Sequence, residues 1–162
     1  MIIRDDFLDP INYNVIKNTM LYAEFPWYYN NGIVDKGTDE ETSNLDFQFT
    51  HRFYEGTIVS NYYEMLTPLL NMLEYKALIR VKANLTTITP EHYCTGMHTD
   101  QPFQCKTALY YVNTNNGWTE FENGAKIDSI ANRLVIFDTL TNHTGYTCTD
   151  RSVRCLININ YF

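Results

Sequence analysis

The chain has 162 residues and a formal net charge of −7, because 19 acidic side chains outnumber 12 Lys and Arg side chains. This length suits one domain over residues 1–162, and 44% hydrophobic residues can supply a packed core. The acidic balance disfavours a nucleic acid partner, which needs clustered Lys and Arg against its phosphates. No apolar run approaches the roughly 18 residues that cross a bilayer, so we expect no membrane partner.

Two features of the sequence bear on its compartment. The N-terminal segment 1–6 turns acidic at once and lacks the basic-then-apolar order of a secretory signal peptide, which predicts a cytoplasmic protein. The four cysteines, Cys94, Cys105, Cys148 and Cys155, show no CxxC spacing for zinc, and in a reducing compartment we expect them to be reduced thiols in the core.

Helices are predicted before residue 75. Asp9-Pro10 should open the first, because apolar residues then recur at helical spacing as far as Met20. A second apolar stripe covers 62–73, where Pro68 favours two short helices. We expect Asn61 and Glu64 to form a capping box, and Thr67 to cap the second short helix.

The region between these helices carries no clear periodicity. Residues 36–44 are polar and predict a solvated loop. The aromatic run 25–29 is expected to pack as a core or edge cluster over the sheet, with a wall of a substrate site as the alternative.

From Ala77 onward the pattern is β, with short runs rich in Val, Ile, Thr and Tyr between turn residues. The predicted strands are 77–87, 93–100, 105–113, 118–121, 125–128, 132–138, 143–148 and 151–161. We therefore predict an α+β, mainly β fold: a double-stranded β-helix, or jelly roll, over 76–162, with the helices of 1–75 packed on one sheet.

A candidate metal site comes from three side chains. His98 and Asp100 stand at i and i+2 of a predicted strand, so both point to the same face. His143 could complete a 2-His-1-carboxylate triad, the set that holds non-haem iron(II) and leaves positions open for chemistry. The alternatives are a surface ion pair for the first two and an ordinary turn residue for His143. His92 is less suited by its spacing, and His51 is expected at the surface.

The last strand supplies a candidate anion site. Its alternation places Arg154, Leu156, Asn158 and Asn160 on one face, and apolar residues on the other. If Arg154 faces inward it is a buried cation that requires an anion, and a dicarboxylate could supply one.

These residues together resemble a known signature. His98-x-Asp100, His143 forty-five residues later and Arg154 eleven residues after that resemble the 2-oxoglutarate- and iron(II)-dependent dioxygenases. The similarity is greatest to the prolyl-hydroxylase-like branch, including short bacterial and phage enzymes. Three stretches add to it: 108–113 resembles the tyrosine-bearing strand, 117–121 the glycine-rich turn and strand, and 154–162 the closing strand.

The resemblance implies roles for individual residues. His98, Asp100 and His143 match the iron ligands, and Arg154 matches the residue that binds the distal carboxylate of 2-oxoglutarate, with Arg151 as a competitor. Tyr111 matches the tyrosine that helps to hold this carboxylate, and Tyr110 is the fallback. The implied cofactors are Fe(II), 2-oxoglutarate as cosubstrate and O2, with ascorbate as a reductant.

The implied activity is a hydroxylase: 2-oxoglutarate is decarboxylated to succinate and CO2, and an unactivated C–H bond becomes an alcohol. The first substrate class is a prolyl or other side chain of a protein or peptide. A free amino acid or small metabolite is the alternative within the enzyme class, and an alkylated base fits the acidic charge less well. Two alternatives are not enzymes. One is a non-catalytic metal-binding jelly roll that acts as a sensor or interaction module, and the other is a structural sandwich with fortuitous histidines. The oligomeric state stays open, and a phage-encoded chain would work in the host cytoplasm.

Overall fold

The computed structural model describes residues 1–22, 24–32 and 44–162. Within these ranges, ten strands form a seven-stranded and a three-stranded antiparallel sheet. This is the mainly β jelly roll with few helices that the sequence predicts. Residues 36–43 of the predicted solvated loop lie outside the described residues.

The first helix, α1, spans Pro10–Tyr22 and begins as predicted. Asp9 Oδ1 accepts hydrogen bonds from the backbone N–H groups of Ile11 and Asn12, at 3.0 and 3.1 Å. Such a side chain satisfies amides that have no partner within the helix. Ile16 and Met20 are buried on the inner face of α1.

The second helical stretch is divided as predicted but capped differently. It comprises a 3₁₀ helix, Tyr63–Leu66, and a short helix α2, Thr67–Asn71. No side chain caps either element, so the predicted capping roles of Asn61, Glu64 and Thr67 are wrong. Because the 3₁₀ helix begins at Tyr63, the local acceptor is Ser60, whose Oγ receives the Tyr62 N–H at 3.0 Å.

The large sheet has the order β1-β8-β5-β10-β4-β3-β2 and the small sheet β7-β6-β9. The strands are β1 Ile2–Arg4, β2 Tyr28–Asn31, β3 Phe47–Glu55, β4 Leu78–Thr87, β5 Lys106–Tyr111, β6 Trp118–Phe121, β7 Lys126–Asp128, β8 Arg133–Asp138, β9 His143–Gly145 and β10 Val153–Tyr161.

Two strand predictions need correction. The described part of residues 1–75 contains three strands besides the helices, and β3 extends the large sheet by pairing with β4. The predicted strand 93–100 forms only two isolated bridges, Cys94 to Tyr146 and His98 to His143. The second of these bridges nevertheless determines the position of the candidate site.

The faces of the large sheet have different environments. One face packs on the helices and buries the apolar alternation of β10 and β4, with Cys155, Ile157, Ile159, Val81 and Ala83 in the main core. The opposite face lines a cavity. The predicted alternation of the last strand is therefore confirmed.

All four cysteines are free thiols, as the sequence predicts, and three of them are buried. Cys94 is exposed, so its predicted core position is wrong. In the described part of the chain no helix is long and apolar enough to span a membrane.

Candidate metal centre

The three candidate ligands converge. Ligand atoms of His98, Asp100 and His143 all lie within 4.8 Å of one another. Reciprocal backbone hydrogen bonds of 3.0 Å join His98 to His143 and bring their rings to a centroid distance of 4.7 Å. Asp100 follows two residues after His98, and its Oδ2 lies 3.9 Å from His143 Nε2. A long-range strand pairing thus completes a local His-x-Asp pair.

Hydrogen bonds to the backbone fix both imidazoles. His98 Nδ1 lies 3.0 Å from the carbonyl oxygen of Gly96, and His143 Nδ1 lies 3.0 Å from that of Thr141. A carbonyl only accepts, so in the neutral form of each ring Nδ1 carries the proton and Nε2 has the lone pair that could bind a metal. Metal-binding histidines are commonly oriented in this way.

The carboxylate is held on both oxygens. Thr107 Oγ1 donates to Asp100 Oδ2 and Asn158 Nδ2 donates to Oδ1, each at 2.9 Å, and Arg80 Nη2 approaches Oδ1 at 3.4 Å. Burial acts to raise the pKa of Asp100, but the attraction of His143 and Arg80 and the hydrogen bonds outweigh burial, so the pKa is lowered. Asp100 is therefore an anion at neutral pH.

His143 is held in its neutral form. Burial lowers its pKa, and the attraction of Asp100 only partly opposes that effect. The rings of Phe137 and Phe121 lie nearby, with centroid distances of 4.9 and 6.0 Å. Neutral imidazole is the form that ligates a metal.

The triad faces a cavity of about 340 Å³ on the polar face of the large sheet. Its lining residues are Gln48, Arg80, Lys82, Asn84, Thr86, Thr95, His98, Thr99, Asp100, Leu109, Thr119, His143, Gly145, Arg154, Leu156 and Asn158.

Arg154 lies in this cavity and is only 6% exposed. Its Nε donates to Ser129 Oγ at 2.8 Å and its Nη2 to Thr119 Oγ1 at 2.9 Å. Among the described residues, no Asp or Glu forms a salt bridge with it. The competitor Arg151 is exposed and donates to the backbone carbonyl of Asp150. Arg154 is thus the buried cation that needs an anion.

The two candidate tyrosines lie behind the cavity wall. Tyr111 is fully buried, its hydroxyl donates to Thr119 Oγ1 at 2.8 Å, and its ring lies 5.6 Å from the Arg154 guanidinium carbon. Tyr110 faces the other core and donates to Asn132 Oδ1 at 2.8 Å, so the fallback position points away from the cavity. Sequence reasoning missed Thr119, which reaches the cavity where Tyr111 does not.

Two glycines leave room for the Arg154 side chain. A Cβ on Gly145 would lie 3.3 Å from Arg154 Nη1, and one on Gly117 would lie 2.8 Å from Arg154 Cδ and 2.7 Å from the carbonyl oxygen of Tyr146. Gly117 belongs to the stretch 117–121 that resembles a glycine-rich turn. Side chains at these positions would crowd the guanidinium.

Strand β4 contributes polar groups that sequence reasoning also missed. Arg80, Lys82, Asn84 and Thr86 alternate with apolar residues and line the cavity. Burial and the nearby Arg80 lower the pKa of Lys82 to about 8, against the attraction of Asp100. The alternation of polar and apolar residues in 80–86 could have indicated these groups. In the sequence, however, it looks the same as the alternation of a strand whose polar face is exposed to solvent.

The other two histidines belong to structural clusters. His51 was expected at the surface, but it is buried between Phe25 and Phe53, and its ring nitrogens lie 2.7 Å from Pro26 O and Ser60 Oγ. The aromatic packing of β3 explains this difference. His92 hydrogen-bonds through Nδ1 to the backbone carbonyl of Thr147 and packs against the ring of Trp118, apart from the triad.

The aromatic run 25–29 forms the core and edge cluster that we expected. Phe25 is buried and Trp27 packs against the main core. Tyr28 and Tyr29 are exposed on the edge strand β2. None of these residues is among those that line the cavity.

No known protein-family profile matches this sequence, and no curated protein matches it. Solved structures do match. A prolyl hydroxylase from Trichoplax adhaerens, in complex with a hypoxia-inducible factor peptide fragment, has a TM-score of 0.68 at 18% identity, covering 99% of this chain and 82% of that one. The viral collagen prolyl hydroxylase from Paramecium bursaria Chlorella virus-1, solved as a 2-oxoglutarate complex, has a TM-score of 0.60 at 13% identity, covering 98% and 93%.

A third structure represents a different reaction. The epimerase SnoN, in complex with Fe3+, alpha-ketoglutarate and nogalamycin RO, has a TM-score of 0.67 at 14% identity, covering 99% of this chain and 78% of that one. At these identities the likeness establishes a shared fold. What the site of this chain does must therefore be argued from its own residues.

Proposed function

We propose that this protein is a 2-oxoglutarate- and Fe(II)-dependent dioxygenase that hydroxylates an unactivated C–H bond. The observation that carries the proposal is one cavity that contains both the His98, Asp100 and His143 triad and a buried Arg154 without a carboxylate partner in the described chain. Each half of this site alone has ordinary explanations. Their combination fits a metal and a diacid bound side by side.

The donor set fits iron(II). Two neutral imidazoles and one carboxylate form the facial triad that non-haem iron oxygenases use. Both Nε2 lone pairs are free, and Thr107 and Asn158 fix the carboxylate through its oxygens. These contacts hold the three ligands in place before a metal binds, which reduces the reorganisation that binding requires.

The cosubstrate end fits a carboxylate. Gly145, beside the guanidinium, lies two residues along β9 from His143, which is about 7 Å on a strand. Thr119 Oγ1 accepts from both Tyr111 and Arg154, so its own hydrogen is left to donate into the cavity. We assign Arg154 and Thr119 to the distal carboxylate of 2-oxoglutarate, with Tyr111 orienting Thr119.

Iron(II) with 2-oxoglutarate would supply the oxidising chemistry with O2, releasing succinate and CO2, with ascorbate as a reductant for the metal. The protein then orients the participants and limits water. The triad would hold the metal, Arg154 would bind the diacid, and apolar Leu109 and Leu156 complete the lining between the polar groups. The substrate would enter the same cavity and present the C–H bond that is oxidised.

Two substrate classes are compatible with this site: a prolyl or other side chain of a peptide, and a free amino acid or small metabolite. The Trichoplax enzyme was solved with a peptide and SnoN with nogalamycin RO, so the fold accommodates both. We place the activity in the cytoplasm, which suits the four free thiols.

The test compares the wild-type protein with Asp100→Ala. Without oxygen, iron(II) and 2-oxoglutarate should give a visible absorption band, and with oxygen succinate should form. Asp100→Ala should lose both because one of three ligands is gone. Asp128→Ala makes the same chemical change at an exposed position of β7 and should keep both. Succinate formation at the wild-type rate by Asp100→Ala would exclude the triad, and metal binding without succinate would favour a non-catalytic sensor.

The two arginines are tested in the same assay. Arg154→Gln should raise the 2-oxoglutarate concentration needed for half-maximal turnover by about 10- to 100-fold, since charged hydrogen bonds contribute about 1.5–3 kcal/mol each. Arg151→Gln should not change it. The opposite pattern would move the role to Arg151.

A further inference from the structure

The cavity has an excess of positive charge that the proposed cofactors do not remove. Among the residues that the structure describes, its lining includes three cations, Arg80, Lys82 and Arg154, and one carboxylate, Asp100. An iron(II) ion and a 2-oxoglutarate dianion cancel each other's charge. The described lining of the loaded site would therefore keep two positive charges, in a chain whose net charge is −7. Such a field concentrates anions.

The uncompensated cations lie at the metal end. Arg154 pairs in register with Thr86, whereas Lys82 pairs with Asn158, four residues along β10 or about 13 Å away. Asn158 is also the residue that donates to Asp100. Arg80 and Lys82 thus lie on the side of the triad that faces away from the proposed cosubstrate carboxylate.

Neither cation has a strong partner in the described chain. Arg80 meets Asp100 only at 3.4 Å, and its buried Nε has no hydrogen-bond partner. No salt bridge or hydrogen bond involves the Lys82 amine among the described residues. The other described charged groups that act on Lys82 are Arg52 and Glu55, which pair with each other at 2.8 Å at the surface.

Buried acceptors lie beside these cations. Asn158 Oδ1 and Asn84 Oδ1 are buried without a hydrogen-bond partner. The orientation of the Asn158 amide is fixed, because its Nδ2 donates to Asp100. An unpartnered buried acceptor costs free energy until a donor arrives. The subsite therefore needs an anion for its cations and an N–H or O–H donor for its amide oxygens.

We propose that the substrate is a free α-amino acid or similar small carboxylic acid, whose carboxylate binds Arg80 and Lys82 and whose donor group meets Asn158 and Asn84. The planar guanidinium suits a carboxylate, with Nε and Nη2 on one edge, and Lys82 adds a point charge. The cavity of about 340 Å³ is near the lower limit for ligand pockets, so a small molecule fits beside the cosubstrate. This inference rests on the proposed function and selects the small-molecule class.

The test has a binding arm and a turnover arm. For binding, the protein is loaded with saturating 2-oxoglutarate and with Mn(II), a metal that does not support turnover. It is then titrated calorimetrically with free L-amino acids and with the carboxamides of the same amino acids. We expect at least one free acid to bind at least 10-fold more tightly than its amide. Lys82→Gln should remove that preference, and Lys106→Gln, the same change at an exposed position of β5, should keep it.

For turnover, iron-loaded protein is assayed for succinate release stimulated by the same acids, by their amides and by end-capped peptides containing Asp or Glu. Stimulation by free acids alone supports the proposal. Stimulation by capped acidic peptides alone would mean that the recognised carboxylate belongs to a polypeptide side chain. Equal stimulation by acids and amides would mean that the site does not recognise a carboxylate. Either result overturns the proposal.

Two further outcomes separate this inference from the proposed function. If Lys82→Gln weakens only 2-oxoglutarate binding, the cation serves the cosubstrate and the inference is wrong. If the wild-type protein forms no succinate with any compound and shows no iron-dependent band with 2-oxoglutarate, the proposed function itself is wrong.

Discussion

Replacing Lys82 with Met should stabilise the metal-free protein at neutral pH. The amine is largely buried among polar groups without a partner, and its pKa is lowered from 10.5 to about 8. Each pKa unit corresponds to about 1.4 kcal/mol, so confining this charge costs the folded state about 3 kcal/mol at most, since part of the side chain still meets water. Met has a similar length without the charge.

The sign of the pH dependence follows from the two protonation states. Below about pH 8 the amine is charged in both the folded and unfolded chains, so the full cost is present. Between pH 8 and 10.5 only the unfolded chain keeps the proton, so the wild-type protein gains stability as the pH rises. The advantage of Lys82→Met should therefore be largest at pH 7 and shrink towards pH 10.

Urea denaturation with a chelator present, at pH 7, 8, 9 and 10, measures this difference. Lys106→Met on the exposed part of β5 is the matched control and should show no such trend. The reasoning fails if Lys82→Met is less stable than wild type at pH 7, or if its advantage does not vary with pH.

Three other substitutions test the Arg154 end of the cavity and the His51 cluster. Gly117→Ala should lower the free energy of unfolding by about 1–3 kcal/mol, because a Cβ would meet backbone at 2.7 Å, and a normal urea midpoint would contradict this. Tyr111→Phe removes one hydrogen bond, so it should lower the free energy of unfolding by about 1 kcal/mol. It should raise the 2-oxoglutarate concentration needed for half-maximal turnover by less than about 10-fold. A loss of iron binding would show that the role of Tyr111 is misassigned. Burial lowers the pKa of His51, so acidification below about 6.5 should destabilise the wild-type protein, and His51→Gln should flatten that part of the pH profile in chemical denaturation.

The strands that the sequence predicted correctly have one apolar face in a core. β10 is the clearest case: Cys155, Ile157 and Ile159 alternate with inward polar residues, and both faces are as expected. β3 was missed because its pattern, Phe-Gln-Phe-Thr-His-Arg-Phe, mixes aromatic and polar residues and has a bulge between Arg52 and Tyr54. Gln48 on this strand faces the cavity, and in the sequence His51 interrupts the otherwise aromatic alternation of Phe47, Phe49 and Phe53.

The site was predictable where the contact is local or where the resemblance supplied it. His98 and Asp100 are two residues apart, but His143 reaches them through a bridge that no spacing rule reveals. Thr119 was missed because its importance depends on Arg154 and Tyr111 pointing at the same oxygen, which is a property of packing between two sheets. Tyr111 was identified by motif, yet it lies behind the cavity wall and contacts the cavity lining through Thr119.

The inward polar residues of β4 show most clearly why the sequence alone is insufficient. A strand with the sequence Arg-Val-Lys-Ala-Asn-Leu-Thr over 80–86 would normally expose its polar side chains to water, so that no polar group is desolvated. Here the polar face is turned into a cavity, where burial lowers the pKa of Lys82 and Asn158 Oδ1 lacks a donor. Sites that are unfavourable for folding are expected where binding relieves the penalty. The prediction on stability and the inference on the substrate therefore concern the same charge. The Lys82→Met protein should gain stability and also lose its preference for a carboxylate. A variant that gained stability but kept that preference would show that the two effects have different causes.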